Sequence, residues 1–136
     1  MTRMGMNMDR KMLVVDDDLT NRMVVRLLME RRGYQTYEAS SGQDALDQMM
    51  ETDFDVVLMD LSMPVMDGFE ATRRLRALPC KSAKAPVVAL TAHTTQKDQD
   101  ACVAAGMNGF LPKPFDAKRA DQLLVLLGLH ADETTA

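Results

Sequence analysis

Four short apolar runs in this chain lead directly into polar residues that could do chemistry. Met12-Leu13-Val14-Val15 stops at Asp16-Asp17-Asp18, Asp55-Val56-Val57-Leu58-Met59 at Asp60, and Pro86-Val87-Val88-Ala89-Leu90 at Thr91. Gly109-Phe110-Leu111 runs through Pro112 into Lys113 and Pro114. Carboxylates gathered in one place repel one another, and at least one is pushed toward its protonated form. A hard divalent cation removes that conflict. Mg²⁺ takes few protein carboxylates, keeps waters and shares phosphate oxygens. No Cys or His accompanies these acids, which argues against zinc. Such a metal neutralises the oxygens of an incoming phosphoryl group, and an Asp carboxylate can accept that group covalently. Lys113 offers a compact positive charge opposite the metal. Thr91 offers a hydroxyl donor, and the small Ala92 leaves room beside it. Each residue alone has a plainer reading: a turn or cap Asp, a strand-end Thr, a Lys in a surface loop. Their succession at strand ends favours a site.

The elements that must position these residues follow from hydrophobic pattern. The four runs lack polar alternation, as do strands buried on both faces of a parallel sheet. Tyr34 to Ala39 is more polar and suits an edge strand. Helical windows lie between: Thr20 to Arg32 before Gly33, Gly42 to Met50, Phe69 to Leu78, Gln96 to Ala105 before Gly106, and a last helix capped by Asp116 and running to Leu127. Five β-α units imply an α/β fold with helices on both faces of the sheet. Ligands of such sheets bind beyond the carboxyl ends of the strands, at the switch point. If the strand order is 2-1-3-4-5, an order taken from fold knowledge and not from the sequence, Asp16, Asp17 and Asp60 meet there. Pro79 to Pro86 reads as a loop, and no internal repeat is present.

The composition narrows the alternatives. The chain has 136 residues, 46% hydrophobic and 4% aromatic, with thirteen Met and no Trp. That is enough for one aliphatic, Met-rich core. A net charge of −4 gives no support to nucleic-acid or membrane binding. Arg73, Arg74 and Arg76 read as a solvated helix face. Cys80 and Cys102 follow no metal spacing and read as reduced thiols. With no apolar signal region and no run of membrane-spanning length, the expected location is cytoplasmic. The expected organisation is a flexible leader at 1–10, one domain at 11–128 and a flexible tail at 129–136.

The motifs Leu13-Val14-Val15-Asp16-Asp17, Leu58-Met59-Asp60 with Pro64-Val65-Met66-Asp67-Gly68, Leu90-Thr91-Ala92 and Lys113-Pro114-Phe115 resemble those of response-regulator receiver domains of two-component signalling. The resemblance runs from about Lys11 to Leu127. Asp18 with Thr20-Asn21-Arg22, and Phe69-Glu70-Ala71-Thr72, are most similar to receivers of hybrid kinases and phosphorelays. The resemblance implies a flavodoxin-like (βα)5 fold and a signalling phosphoprotein that is not an enzyme with its own substrate. It implies Asp60 as phosphoacceptor, Asp16 and Asp17 as the Mg²⁺ pair with Asp60, the Ser62 backbone carbonyl as a further ligand, and Thr91 and Lys113 as phosphoryl contacts. It also implies a cis Lys113-Pro114 bond and Phe110 as switch aromatic, with the face of the fourth helix, fifth strand and fifth helix responding. Pro112, just before the Lys, removes a backbone donor at the strand end.

The implied partners are a histidine kinase or histidine phosphotransfer protein and a downstream protein target. Leu19, Met23 and Leu27 form an apolar line beside the stripe of Val24, Val25, Leu28 and Met29; the first set is expected to dock the partner and the second to be core. The Leu-rich last helix is mostly core, with a monomer or weak homodimer expected. His93 reads as a loop residue rather than one that orients water. Competing readings are a haloacid-dehalogenase-like phosphatase with Asp16 as nucleophile, an FMN module and a docking-only pseudo-receiver. The first lacks room for a cap. The second needs a Ser, Thr and Gly-rich loop where the acids stand. The complete acidic set opposes the third.

Overall fold

The computed structural model describes residues 10–92 and 94–128. Five strands, β1 (Arg10–Val15), β2 (Tyr34–Ala39), β3 (Val56–Asp60), β4 (Val87–Thr91) and β5 (Gly109–Pro112), alternate with five helices. These are α1 (Leu19–Glu30), α2 (Gly42–Glu51), α3 (Gly68–Arg76), α4 (Gln96–Ala105) and α5 (Ala117–Leu126). All pairings are parallel, in the order β2-β1-β3-β4-β5. The expected fold and strand order are therefore present. β1 begins at Arg10, which the sequence assigned to the leader; the remaining leader residues and the tail lie outside the described residues. Pro79 to Pro86 is not all loop: Lys81–Lys84 form a 3₁₀ turn, in which the Ser82 hydroxyl accepts from Phe54 N and donates to Thr52 O.

Local chemistry explains the boundaries. Asp18, Ser41, Asp67, Thr95 and Asp116 each cap a helix by accepting a backbone N–H with the side chain, a contact that contributes about 1 kcal/mol per cap. α4 ends on Gly106, whose φ of 101° suits glycine. All residues of β3 and β4 are buried. One face of the sheet packs Leu13, Val57, Met59 and Ala89 under α2, α3 and α4, and the other packs Met12, Leu58 and Leu90 under α1 and α5. The strand ends that carry Asp16, Asp60 and Thr91 thus emerge from a core closed on both sides.

Two surface readings are corrected. Arg73 and Arg74 do pair with Glu70 on the exposed face of α3. Arg76 instead turns inward and donates to the carbonyls of Gly106, Ala83 and Ala85 and to Asn108 Oδ1. Val24, expected in the core with Val25 and Met29, is 38% exposed, while those two are buried. The arc that α1 can bury is narrower than its apolar arc.

Between β3 and α3, Val65 has φ of 69° and is fully exposed. Met66 N donates to Pro64 O at 2.7 Å, closing a three-residue turn around it. A β-branched residue is strained in that conformation. Val65→Gly is expected to raise stability by about 1 kcal/mol, the relieved strain exceeding the added unfolded-chain entropy. A higher urea midpoint at unchanged slope is the readout; a lower midpoint refutes the strain.

Candidate phosphoacceptor site

β1 and β3 are neighbours, so their carboxyl ends bring Asp16, Asp17 and Asp60 together: one carboxylate oxygen from each lies within 4.8 Å of the others. Asp16 and Asp60 are buried, at 3% and 2% exposure, and Asp17 is exposed. Asp60 Oδ1 accepts from Lys113 Nζ at 2.9 Å and from Ser62 N at 3.2 Å. Lys113 reaches it from the segment after β5, where the Lys113-Pro114 bond is cis. Thr91 ends β4 next to β3 and is buried. Pro112 does not break the ladder: it is the residue paired with Thr91, and Lys113 N makes the bond to Thr91 O at 2.8 Å. On this edge strand the proline nitrogen faces away from β4.

The donor set fits a hard cation. It is all oxygen, with one exposed member that opens the cluster to solvent. Asp16 Oδ1 accepts from Asp18 N, whereas Asp16 Oδ2 is buried with no hydrogen-bond partner among the described residues. A buried carboxylate oxygen without a donor is costly, and a metal ion supplies what it lacks. Burial pushes the Asp16 carboxyl up to about 6, helped by Asp60 and opposed by the Asp18 N–H and by Lys113.

That shift has a sign. Between about pH 4 and pH 6 the folded metal-free chain holds a proton on Asp16 that the unfolded chain has released. Stability contributed by the protonated form is therefore lost as pH rises from about 4 to about 6. Asp16→Asn keeps the shape without the charge. At pH 7.5 without Mg²⁺ it is expected to stabilise the chain by about 2 kcal/mol. Added Mg²⁺ should stabilise the wild type and not the variant. Thermal melts in chelator and in excess Mg²⁺ measure both effects; a variant less stable than the wild type in chelator contradicts the assignment.

Leu19, Met23 and Leu27 are 59%, 42% and 51% exposed on α1, beside the site. A cavity of about 230 Å³ lies between α1 and Lys113, lined by Asn21, Val24, Val25, Leu90, Lys113, Pro114 and Phe115 and by none of Leu19, Met23 and Leu27. Phe110 is half-buried on β5, against the core under α2, α3 and α4. His93 lies outside the described residues. Gly68 belongs to the Pro64-Val65-Met66-Asp67-Gly68 motif, to which the sequence assigns no role for the glycine itself. A Cβ there would stand 2.5 Å from Asp60 O and 2.9 Å from Leu61 Cα, so the loop can close against the end of β3 only with glycine. The Asp67-Gly68 pair ahead of the third helical window is the signal for it in the sequence.

The sequence profile described as "Response regulator receiver domain" matches residues 12–124. The chain is 38% identical over 110 residues to the sensory/regulatory protein RpfC of Xanthomonas campestris, covering 80% of this chain and 15% of that protein. It thus spans a small fraction of such relatives. Among solved structures, Vibrio cholerae CheY4 is similar with a TM-score of 0.81 and 32% identity, covering 87% of this chain and 98% of that one. The receiver domain of sensor histidine kinase PA1611 from Pseudomonas aeruginosa, with magnesium coordinated in its active-site cleft, matches with a TM-score of 0.77 and 32% identity, covering 88% and 98%.

Proposed function

Since this chain belongs to the response-regulator receiver family of two-component and phosphorelay signalling, we propose that Asp60 is its phosphoacceptor and that Asp16, Asp17, Asp60 and the Ser62 backbone carbonyl hold Mg²⁺. The observation that carries this is the buried Asp60 carboxylate, placed between an acidic pair and the Lys113 ammonium at 2.9 Å. When bound, Mg²⁺ neutralises the carboxylates and the phosphoryl oxygens. An Asp60 oxygen attacks the phosphorus of a phosphohistidine on a histidine kinase or phosphotransfer protein. The P–O bond forms as the P–N bond breaks, its electron pair leaving with the imidazole nitrogen. Lys113 then exchanges its contact with Asp60 for one with a phosphoryl oxygen, and the Thr91 hydroxyl donates to another. Movement of Thr91 and a change in Phe110 burial pass the state to the face of α4, β5 and α5, shifting a two-state population toward a downstream protein target. The chain acts as a cytoplasmic signalling domain, monomeric or weakly dimeric, with no separate substrate turnover. The receiver unit is 11–128, extended at its start by Arg10.

Incubation with a small acyl phosphate and Mg²⁺ tests the reading. The expected result is one phosphoryl group per chain, mapped to Asp60 and absent with chelator. No label, or a label on Asp16 as a phosphatase would carry, sinks it.

The exposed Leu19, Met23 and Leu27 support docking of a helical histidine-bearing partner along α1. The double variant Met23→Ser, Leu27→Ser is expected to slow transfer from such a partner by about tenfold or more, with small-donor labelling unchanged. Equal loss in both assays would place the defect in the site rather than in docking.

A further inference from the structure

The acids of the site stand on a peptide that is itself held in place. Asp16 N donates to Ala39 O at 3.1 Å, continuing the β1–β2 pairing one residue past the strand. Arg22, four residues into α1, reaches back and donates from Nη1 to Asp16 O at 2.7 Å. Its Nε donates to Glu38 Oε1 at 2.9 Å. The Arg22 side chain is only 13% exposed, and Glu38 26%. Glu38 also receives Arg26 Nη1 at 3.4 Å, from the next turn of α1.

The Asp16 carbonyl belongs to the peptide that joins Asp16 to Asp17. The orientation of that peptide plane sets the direction of both side chains that leave it. A fork-shaped guanidinium spanning a carbonyl and a carboxylate fixes a plane in a way that an ammonium on a flexible stem does not. Glu38 neutralises the guanidinium, so a cation can be placed beside a metal-binding cluster without strongly opposing the metal. Glu38 thereby serves two purposes, balancing the charge and aiming the fork.

We propose that Arg22, aimed by Glu38, is the positioning residue of the cation site: by holding the Asp16–Asp17 peptide it pre-sets both carboxylates for Mg²⁺. This rests on the reading of the acidic cluster as a Mg²⁺ site. Groups that orient metal ligands without touching the metal change its affinity by about 10–100-fold when removed.

The experiment is Mg²⁺ titration calorimetry of the whole chain at fixed pH and ionic strength, with thermal melts in chelator alongside. Arg22→Met is expected to weaken Mg²⁺ binding about tenfold. Arg22→Lys should recover only part of this loss, because one ammonium cannot reproduce the fork. Glu38→Gln, which keeps the guanidinium, should weaken binding about threefold, and the double variant should be no weaker than Arg22→Met alone. Arg26→Met removes the same charge from the same helix and the same Glu38 without touching Asp16; binding should stay within about twofold. If Arg22→Met does not fold, Arg22→Lys and Glu38→Gln carry the comparison. Lower melting temperatures with Mg²⁺ affinity unchanged in every Arg22 and Glu38 variant would overturn the inference, as would an Arg26→Met loss equal to that of Arg22→Met. A wild-type chain that binds no Mg²⁺ overturns the metal reading itself and this inference with it, and is distinguished by the first titration.

Discussion

Asp60→Asn is expected to abolish labelling by a small acyl phosphate while leaving the chain folded. Asn has the volume of Asp and keeps an oxygen to accept from Ser62 N, which lies 3.2 Å from Oδ1. It lacks the anionic oxygen that the proposed transfer needs for attack on phosphorus, and no other acid of the cluster is paired with Lys113 among the described residues. Mg²⁺ binding should weaken by at least about tenfold, since one charged member of the proposed ligand set becomes neutral. The variant also removes the carboxylate charge that helps raise Asp16. The pH range over which the metal-free chain loses stability should therefore move downward. Intact mass after donor treatment decides the first expectation, and melts from pH 4 to 8 the last. Undiminished labelling of the variant would remove Asp60 from the mechanism.

Arg76→Met is expected to destabilise the chain by about 3 kcal/mol while sparing the chemistry of whatever remains folded. The guanidinium makes five contacts: two to Gly106 O, one each to Ala83 O and Ala85 O, and one to Asn108 Oδ1. Asn108 in turn is tied to the first residue of β4, through Val87 N to its side chain and its own N to Val87 O. One side chain thus fastens α3, the 3₁₀ turn and the segment between α4 and β5. Met fills much of the volume and strands the carbonyls, each partly buried acceptor losing about 1 kcal/mol or more. Burial already works against the charge of Arg76, so the contacts rather than the charge justify its presence. Arg76→Lys should recover little, because the contacts need the fork. A urea midpoint shift at constant slope measures this, and the cluster lies at the opposite ends of the strands from Asp60, so labelling at low temperature should persist. A stability change within about 0.5 kcal/mol would restore the solvated-face reading.

These two residues mark how far the sequence could be read. Asp60 was legible because a fully buried strand admits no polar residue until its end, and three such runs end in carboxylates or a hydroxyl. Helix boundaries were legible through stops and caps such as Gly33, Gly106 and Asp116, whereas the strand order came from fold knowledge, because apolar runs alone do not say which strands are neighbours. Arg76 was not. It shares composition and spacing with Arg73 and Arg74, and only the carbonyls of Gly106, Ala83 and Ala85, distant in sequence, distinguish it. Arg22 was hidden for the same reason, since the receptors for its fork are a main-chain oxygen and Glu38 on a strand. Val24 sits at the margin of the apolar arc of α1, where a single turn of helix decides between core and surface. Val65 was invisible because nothing in its type announces a positive φ.

The outward-facing nitrogen of Pro112 bears on how copies of this domain can meet. β5 is the outer strand on its side of the sheet, and the residues whose amides point outward are Phe110 and Pro112. One of the two has no hydrogen to give. A further strand laid alongside would find at most a single donor along a four-residue edge. That edge is closed to sheet extension, so the domain is guarded against fibril-like growth there. Assembly on that flank must instead be written in side chains, such as the exposed Val125 and Leu126 of α5.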